Sequence, residues 1–271
     1  MFKRFSLWLL FFSINSTAVI AQIDLSKPFE DCHINGSITL YDYQNKKWIY
    51  SDEKDSQIKT LPASTFKIIN TLIALETGVI KDENEIVKWV GKTDTTLYGY
   101  RPEIYKDMTV KEAFALSAGW VYLELAKRIG KKRYMDYLKK CQYGNVNLSE
   151  MTSKSVDFWN FGQFGISPKN QVEFLIKLYE EKLPFSKRSF EIVKRIMITE
   201  TQPNYVIRAK TGWTRFDNKD TGWWVGYVES KGNVYFFATR LIKLRSEINQ
   251  NFGSCRKEIT KKVLKELQFI E

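Results

Sequence analysis

The chain has 271 residues, 44% hydrophobic and 15% aromatic, with 42 basic and 31 acidic side chains and a net charge of +11. That apolar content excludes a disordered polymer and suffices for one large domain with a real core. The positive charge invites nucleic acid or an anionic surface as partner. It is scattered in short clusters such as Lys131-Lys132-Arg133 and Lys139-Lys140, without a nucleic-acid motif beside them, so they read as solvated helix faces.

Lys3 and Arg4, an apolar run from Phe5 to Ile14 and the small-residue exit Val19-Ile20-Ala21 predict a signal peptide over residues 1–21, cleaved after Ala21. The run is too short to span a hydrocarbon core of roughly 30 Å, so stable membrane insertion is not expected. Residues 22–271 then read as a single catalytic domain.

Ser37 to Tyr41 and Lys47 to Tyr50 read as strands around an Asn45-Lys46 turn. Pro62 precedes a helix from about Ser64 to Thr77, closed by Gly78. Thr109 and Glu112 form a capping box, Ser167-Pro168 opens a helix to about Glu181, and a further helix runs from Ser186 to Ile198. Tyr205 to Thr211, Gly222 to Glu229 and Val234 to Leu241 read as strands, the last two joined by a hairpin at Ser230-Lys231-Gly232-Asn233. An amphipathic helix spans Ser254 to Leu267. Strands at both ends around a helical middle predict an α/β protein of the α+β type. One antiparallel sheet would come from about residues 22–60 and 200–271, and an inserted all-helical lobe from about 61–199.

Cys32, Cys141 and Cys255 are odd in number and widely spaced, so no disulfide framework or zinc knuckle is legible and buried free thiols are the default. His33 is the single histidine. A Ser-His-Asp triad would depend on it alone, so a hydrolase here must find another base.

Ser64-Thr65-Phe66-Lys67 supplies one. Residues three apart share a helix face, so hydroxyl and amine can meet. Lysine becomes a base only when it loses its proton, and its ordinary pKa is about 10.4. Burial lowers it, and Phe66, Ile68, Ile69, Leu72 and Ile73 make this helix a central one. Ser-x-x-Lys also occurs at Ser51/Lys54 and Ser254/Lys257, away from any apolar helix start. Lys210-Thr211-Gly212 ends a strand ahead of Trp213. There a cation, a small hydroxyl and a glycine suit a carboxylate and close approach of a ligand. Ser117 falls at a predicted helix end, and Tyr143-Gly144-Asn145 reads as a tight turn. Gly91-Lys92-Thr93 resembles the end of a phosphate loop, but Ile86 stands at its first glycine.

Taken in order, Ser64-x-x-Lys67, Ser117, Tyr143-Gly144-Asn145 and Lys210-Thr211-Gly212 resemble the class D β-lactamases, among the penicillin-recognising serine enzymes. Phe158-Trp159 leading into Gly162-Gln163, and Trp223 to Glu229 after Lys-Thr-Gly, extend the resemblance over nearly the whole mature chain. It implies a serine β-lactamase or transpeptidase-like fold and a small β-lactam as substrate, with no nucleic-acid partner. It also implies secretion to the periplasm of a bacterium, as a monomer or homodimer. Ser64 would be the acylated nucleophile. Lys67 would be carboxylated to N6-carboxylysine by carbon dioxide or bicarbonate, with no other cofactor and no metal. Trp159 would donate its indole N–H to the carbamate, and Ser117 would relay a proton to the leaving nitrogen. The backbone N–H groups of Ser64 and Trp213 would form the oxyanion hole. Lys210, Thr211 and Arg256 would face the substrate carboxylate, with Gly212, Tyr143 and Asn145 completing the binding residues.

Two departures stand out. The family's Ser-x-Val or Ser-x-Ile is Ser117-Ala118-Gly119 here, and Asn160 replaces an apolar residue after the tryptophan. Losing both apolar groups should leave the base wetter and its carbamate less stable. That keeps a penicillin sensor, acylated but slow to turn over, as the alternative. A secreted basic binding module is a more distant one. The loop from Arg215 to Thr221 is expected to shape substrate choice.

Overall fold

The computed structural model describes residues 23–271, so the segment read as a signal peptide lies outside the described residues. Helix α1 (Lys27–Asp31) leads into β1 (Asn35–Asp42) and β2 (Lys47–Tyr50). The middle of the chain carries α2 (Lys67–Glu76), α3 (Thr95–Tyr98), α4 (Val110–Ala115), α5 (Gly119–Ile129), α6 (Lys131–Cys141), α7 (Pro168–Tyr179) and α8 (Lys187–Ile196). A short ribbon of β3 (Ile86–Val87) and β4 (Met108–Thr109) interrupts it, so the lobe expected to be all helical contains one small two-stranded sheet. The chain returns through β5 (Ile198–Thr201), β6 (Tyr205–Phe216), β7 (Lys219–Ser230), β8 (Asn233–Leu244) and α9 (Phe252–Glu266).

Both chain ends build one sheet, as the strand pattern predicts, in the order β2-β1-β8-β7-β6-β5 with every neighbour antiparallel. The three long strands are each twelve residues, longer than their apolar stretches. They turn at Asp217-Asn218 and Lys231-Gly232, where all four residues have positive φ, the backbone twist that suits a two-residue hairpin. The expected loop over Arg215 to Thr221 is therefore mostly strand, with only Asp217 and Asn218 at the turn.

One sheet face packs against the helical lobe through Trp223, Val225, Tyr227, Phe236 and Ala238. The other packs against α1 and α9 through Trp224, Phe237, Leu241, Phe252, Ile259 and Val263. Cover on both faces explains why these strands read as continuous apolar runs. Helix α2 is buried from Lys67 through Leu75. A helix buried all round belongs in a core even with Lys67, Asn70 and Thr71 in it, and each fully buried Ile or Leu contributes about 1.5–3 kcal/mol.

The capping box at Thr109 forms as read, with Glu112 Oε2 accepting from the Thr109 N–H at 2.9 Å. Ser167 caps α7. The expectation of three free thiols fails for two of them. Cys32 and Cys255, 223 residues apart in sequence, form a disulfide that ties the end of α1 to α9. Only the fold brings them together, with their Cα atoms 6.2 Å apart. Cys141 is free and buried, its thiol pushed up to about 12 by desolvation. No helix among the described residues is long and apolar enough to cross a membrane.

Candidate active site

A cleft of about 550 Å³ opens between the edge of β6 and the helical lobe, lined by Ser64, Lys67, Ser117, Thr211, Trp213 and Arg256 among others. The segment that places Ser64 is not yet α-helix. Ala63–Phe66 forms a 3₁₀ turn, and α2 begins at Lys67, one turn later than the apolar pattern suggests. Ala63 enters this turn with φ +52° and Ser117 sits at φ +57°. Left-handed backbone is costly for residues with a Cβ and concentrates at functional sites. The chain accepts it on either side of the cleft.

Lys67 is 1% exposed, and its Nζ donates to Ser64 Oγ at 2.8 Å. Desolvation lowers its pKa from 10.5 to about 8, partly opposed by the charge of Asp157 and assisted by that of Arg101. The amine also lies 5.0 Å from the centre of the Tyr122 ring. An amine with that pKa spends a useful fraction of its time unprotonated near neutral pH, beside the hydroxyl that needs a base.

On the opposite wall, Lys210 Nζ donates to Ser117 Oγ at 3.0 Å and to the carbonyl of Thr211 at 3.1 Å. Lys210 is buried, and desolvation with the nearby charges of Lys67, Arg256, Lys257 and Arg101 holds its pKa well below the usual lysine range. Arg256 Nη1 donates to the carbonyl of Gly212 at 2.5 Å, and its guanidinium lies 5.5 Å from the Trp213 ring centre. Burial lowers its pKa to about 10, so it remains a cation.

Gly212 has a different use from the one its sequence suggests. A Cβ there would stand 2.9 Å from the Pro62 carbonyl and 3.2 Å from the Thr65 N–H nitrogen. The glycine lets β6 press its backbone against the Pro62–Thr65 turn that carries Ser64, and Ser64 and Trp213 both line the cleft. Trp213 is fixed from outside by Asp220, whose Oδ1 accepts from the indole at 3.1 Å. Asp220 in turn pairs with Lys243 at 2.8 Å. Neither residue carries a sequence signal.

Three expected residues are not among those that line the cleft. Tyr143 is fully buried behind the cleft. Its hydroxyl donates to Gln171 at 3.3 Å, and Gln171 donates to Thr65 Oγ1 at 2.8 Å, so Tyr143 supports the Ser64 turn indirectly. Asn145 pins residues 163–165, its amide donating to Gln163 at 2.8 Å and its oxygen accepting from Gly165 at 3.1 Å. Neither lines the cleft. Trp159 is buried and stacks on Phe66 at 5.1 Å, while its carbonyl accepts from the N–H of Ala63 at 3.0 Å. Among the described residues its indole N–H has no protein acceptor. His33 sits on an exposed bend between α1 and β1, outside the cleft.

The two departures differ in kind. A Cβ on Gly119 would meet nothing within 4 Å, so space is indeed open there. Asn160 is occupied: its amide donates to both oxygens of Asp157, at 2.9 and 3.0 Å, and its carbonyl accepts from Thr214 at 2.6 Å. Lys67 stays buried regardless, against the expectation of a wetter base. Sequence reading missed Asp157, Tyr98 and Arg101 around this amine. The adjacency of Asp157 to Phe158-Trp159 was the only available hint.

Residues 36–265 match the penicillin binding protein transpeptidase domain. The β-lactamase OXA-10 of Pseudomonas aeruginosa is 39% identical, over 87% of this chain and 88% of that protein. The β-lactamase OXA-48 of Klebsiella pneumoniae is 38% identical, over 89% and 87%. Among solved structures, a class D β-lactamase from Sebaldella termitidis is 45% identical with a TM-score of 0.85, covering 93% of this chain and 98% of that one. The class D β-lactamase YbXI from Nostoc is 41% identical with a TM-score of 0.84, covering 91% and 99%. The buried lysine on its serine, the opposing lysine-serine pair and these likenesses agree, and the chain belongs to the class D β-lactamases, built on the penicillin-binding transpeptidase fold.

Proposed function

We propose that this enzyme opens the β-lactam ring of penicillins and related antibiotics through an acyl-enzyme on Ser64. The observation that carries the reading is the 2.8 Å contact between Ser64 Oγ and a lysine amine that is 1% exposed. Ser64 Oγ attacks the lactam carbonyl as its proton passes to Lys67, and the oxygen that becomes negative lies between the amides of Ser64 and Trp213. Ser117, held by Lys210, delivers a proton to the leaving nitrogen. Arg256 supplies the positive charge that receives the substrate carboxylate, and Thr211 and Lys210 offer it hydrogen-bond donors. Leu97, Leu116 and Trp213, exposed on the rim, offer apolar cover to the substrate's side chain.

In this reading carbon dioxide carboxylates Lys67, and the resulting carbamate serves as base for acylation and deacylation. A desolvated amine with a pKa near 8 has the free lone pair that reaction needs. The indole of Trp159 is the donor assigned to the carbamate. Residues 1–21 are proposed to direct export, placing the domain in the periplasm.

Open space at Gly119 favours one rival, a sensor that is acylated but hardly deacylates. Turnover of a chromogenic cephalosporin decides. Sustained hydrolysis over many enzyme equivalents is the expected result, and a single stoichiometric burst would make the protein a sensor.

A further inference from the structure

Bonded to Tyr98 and Asn160 of the cleft wall stands a carboxyl group that the proposed reaction does not use. Asp157 is 7% exposed. The hydroxyl of Tyr98, on α3, donates to its Oδ2 at 2.7 Å, and the Asn160 amide donates to both its oxygens. Tyr98, Asn160 and Lys67 line the same cleft, so this cluster closes the wall around the amine. Donors on both oxygens of a buried acid are suited to holding a negative charge. Tyr98 touches Asp157, and Lys67 and Tyr134 are near enough to exchange charge effects with it; Arg101 and Lys210 act on Lys67 in the same way.

We infer that Asp157 is a positioning residue that sets the charge state of Lys67, holding the amine as an ammonium ion and opposing its conversion to carbamate. The inference rests on the carbamate reading above. In carboxylation the free amine's lone pair forms the N–C bond, a C–O π pair moves onto oxygen, and the nitrogen's proton passes to solvent. The charge at this position thus changes from +1 in the ammonium ion to −1 in the carbamate. An ionised Asp157 favours the first and disfavours the second, while Arg101 and Lys210 pull the other way. Burial raises the pKa of Asp157, the donors and Lys67 opposing it, so falling pH neutralises this carboxylate before an exposed one. Asn160 is then the partner that keeps Asp157 ionised, which gives a polar residue at that position a reason.

Carbon-13 NMR with labelled bicarbonate reads the carbamate directly, with Lys67→Met as the blank. Asp157→Asn should reach half-saturation at about tenfold lower bicarbonate than the wild type. Tyr98→Phe, which weakens the anion without removing it, should shift the same way by less, and it carries the test if Asp157→Asn does not fold. An unchanged or higher bicarbonate requirement in these variants overturns the inference alone. Absence of any carbamate in the wild type at saturating bicarbonate overturns the carbamate reading and the inference with it.

Discussion

Lys210 Nζ and Ser117 Oγ meet at 3.0 Å across the cleft, one from the edge of the main sheet and one from the turn between α4 and α5. Each is individually costly. Lys210 is a lysine amine with almost no water, and Ser117 holds left-handed backbone. In the proposed reaction this pair would supply the proton donor on the wall opposite Lys67, the two lysines dividing the work, Lys67 taking a proton and Lys210 guiding one out.

The depressed pKa of Lys67 gives a pH prediction. The neutral amine grows as pH rises through about 8. With carbon dioxide removed no carbamate forms and the free amine is the base left beside Ser64, so single-turnover acylation by benzylpenicillin in such buffer should climb over that range and level off above it. A flat profile would show that the amine is not the base.

The same shift has a stability consequence. The folded pKa is about 8 and the unfolded value 10.5, so the unfolded chain binds the extra proton between them. Stability should rise with pH from about 8 to 10.5 on this account, and below 8 the full cost of burying the charge is present. Lys67→Met removes that cost and should stabilise the protein at pH 7 by about 2 kcal/mol while abolishing acylation. Denaturant unfolding of both proteins measures it, and a destabilised Lys67→Met would contradict it.

Gly212→Ala puts a Cβ against the backbone of the Pro62–Thr65 turn. Neither side is a flexible chain end, so β6 must move away from Ser64. Acylation should fall by about 10²-fold or more, with a stability loss of about 1–3 kcal/mol. Wild-type acylation rates in this variant would mean the close approach is dispensable.

How much of this was legible in sequence depended on distance along the chain. Ser64 and Lys67 are one turn apart, so periodicity alone joins them. The sheet follows from apolar strand runs at both ends. Tyr143 and Asn145 were legible as a motif but not as supports, because their partners Gln171 and Gly165 are 28 and 20 residues away. Asp220 under Trp213, Tyr98 on Asp157 and the pairing of Cys32 with Cys255 are set by tertiary packing, which leaves no local pattern. Strand length beyond Thr211 was missed because Arg215 and Phe216 are polar or exposed while still paired across to β7.

The disulfide offers a test of that tertiary reading. Cys32→Ser should lower stability by about 3 kcal/mol. It also frees the α9 turn that carries Arg256, the neighbour of Cys255, so KM for penicillins should rise more than kcat falls. Equal stability of the variant and the wild type under oxidising conditions would argue against the bond.

The pairing of Ser64 with Lys67 is the centre of the account, and time-resolved intact-mass analysis with benzylpenicillin followed by peptide mapping tests it most directly. The wild type should show a transient penicilloyl adduct on Ser64 that decays faster when bicarbonate is added, and Ser64→Ala and Lys67→Met should show none. An adduct on any other residue, or undiminished acylation of Lys67→Met, would contradict it.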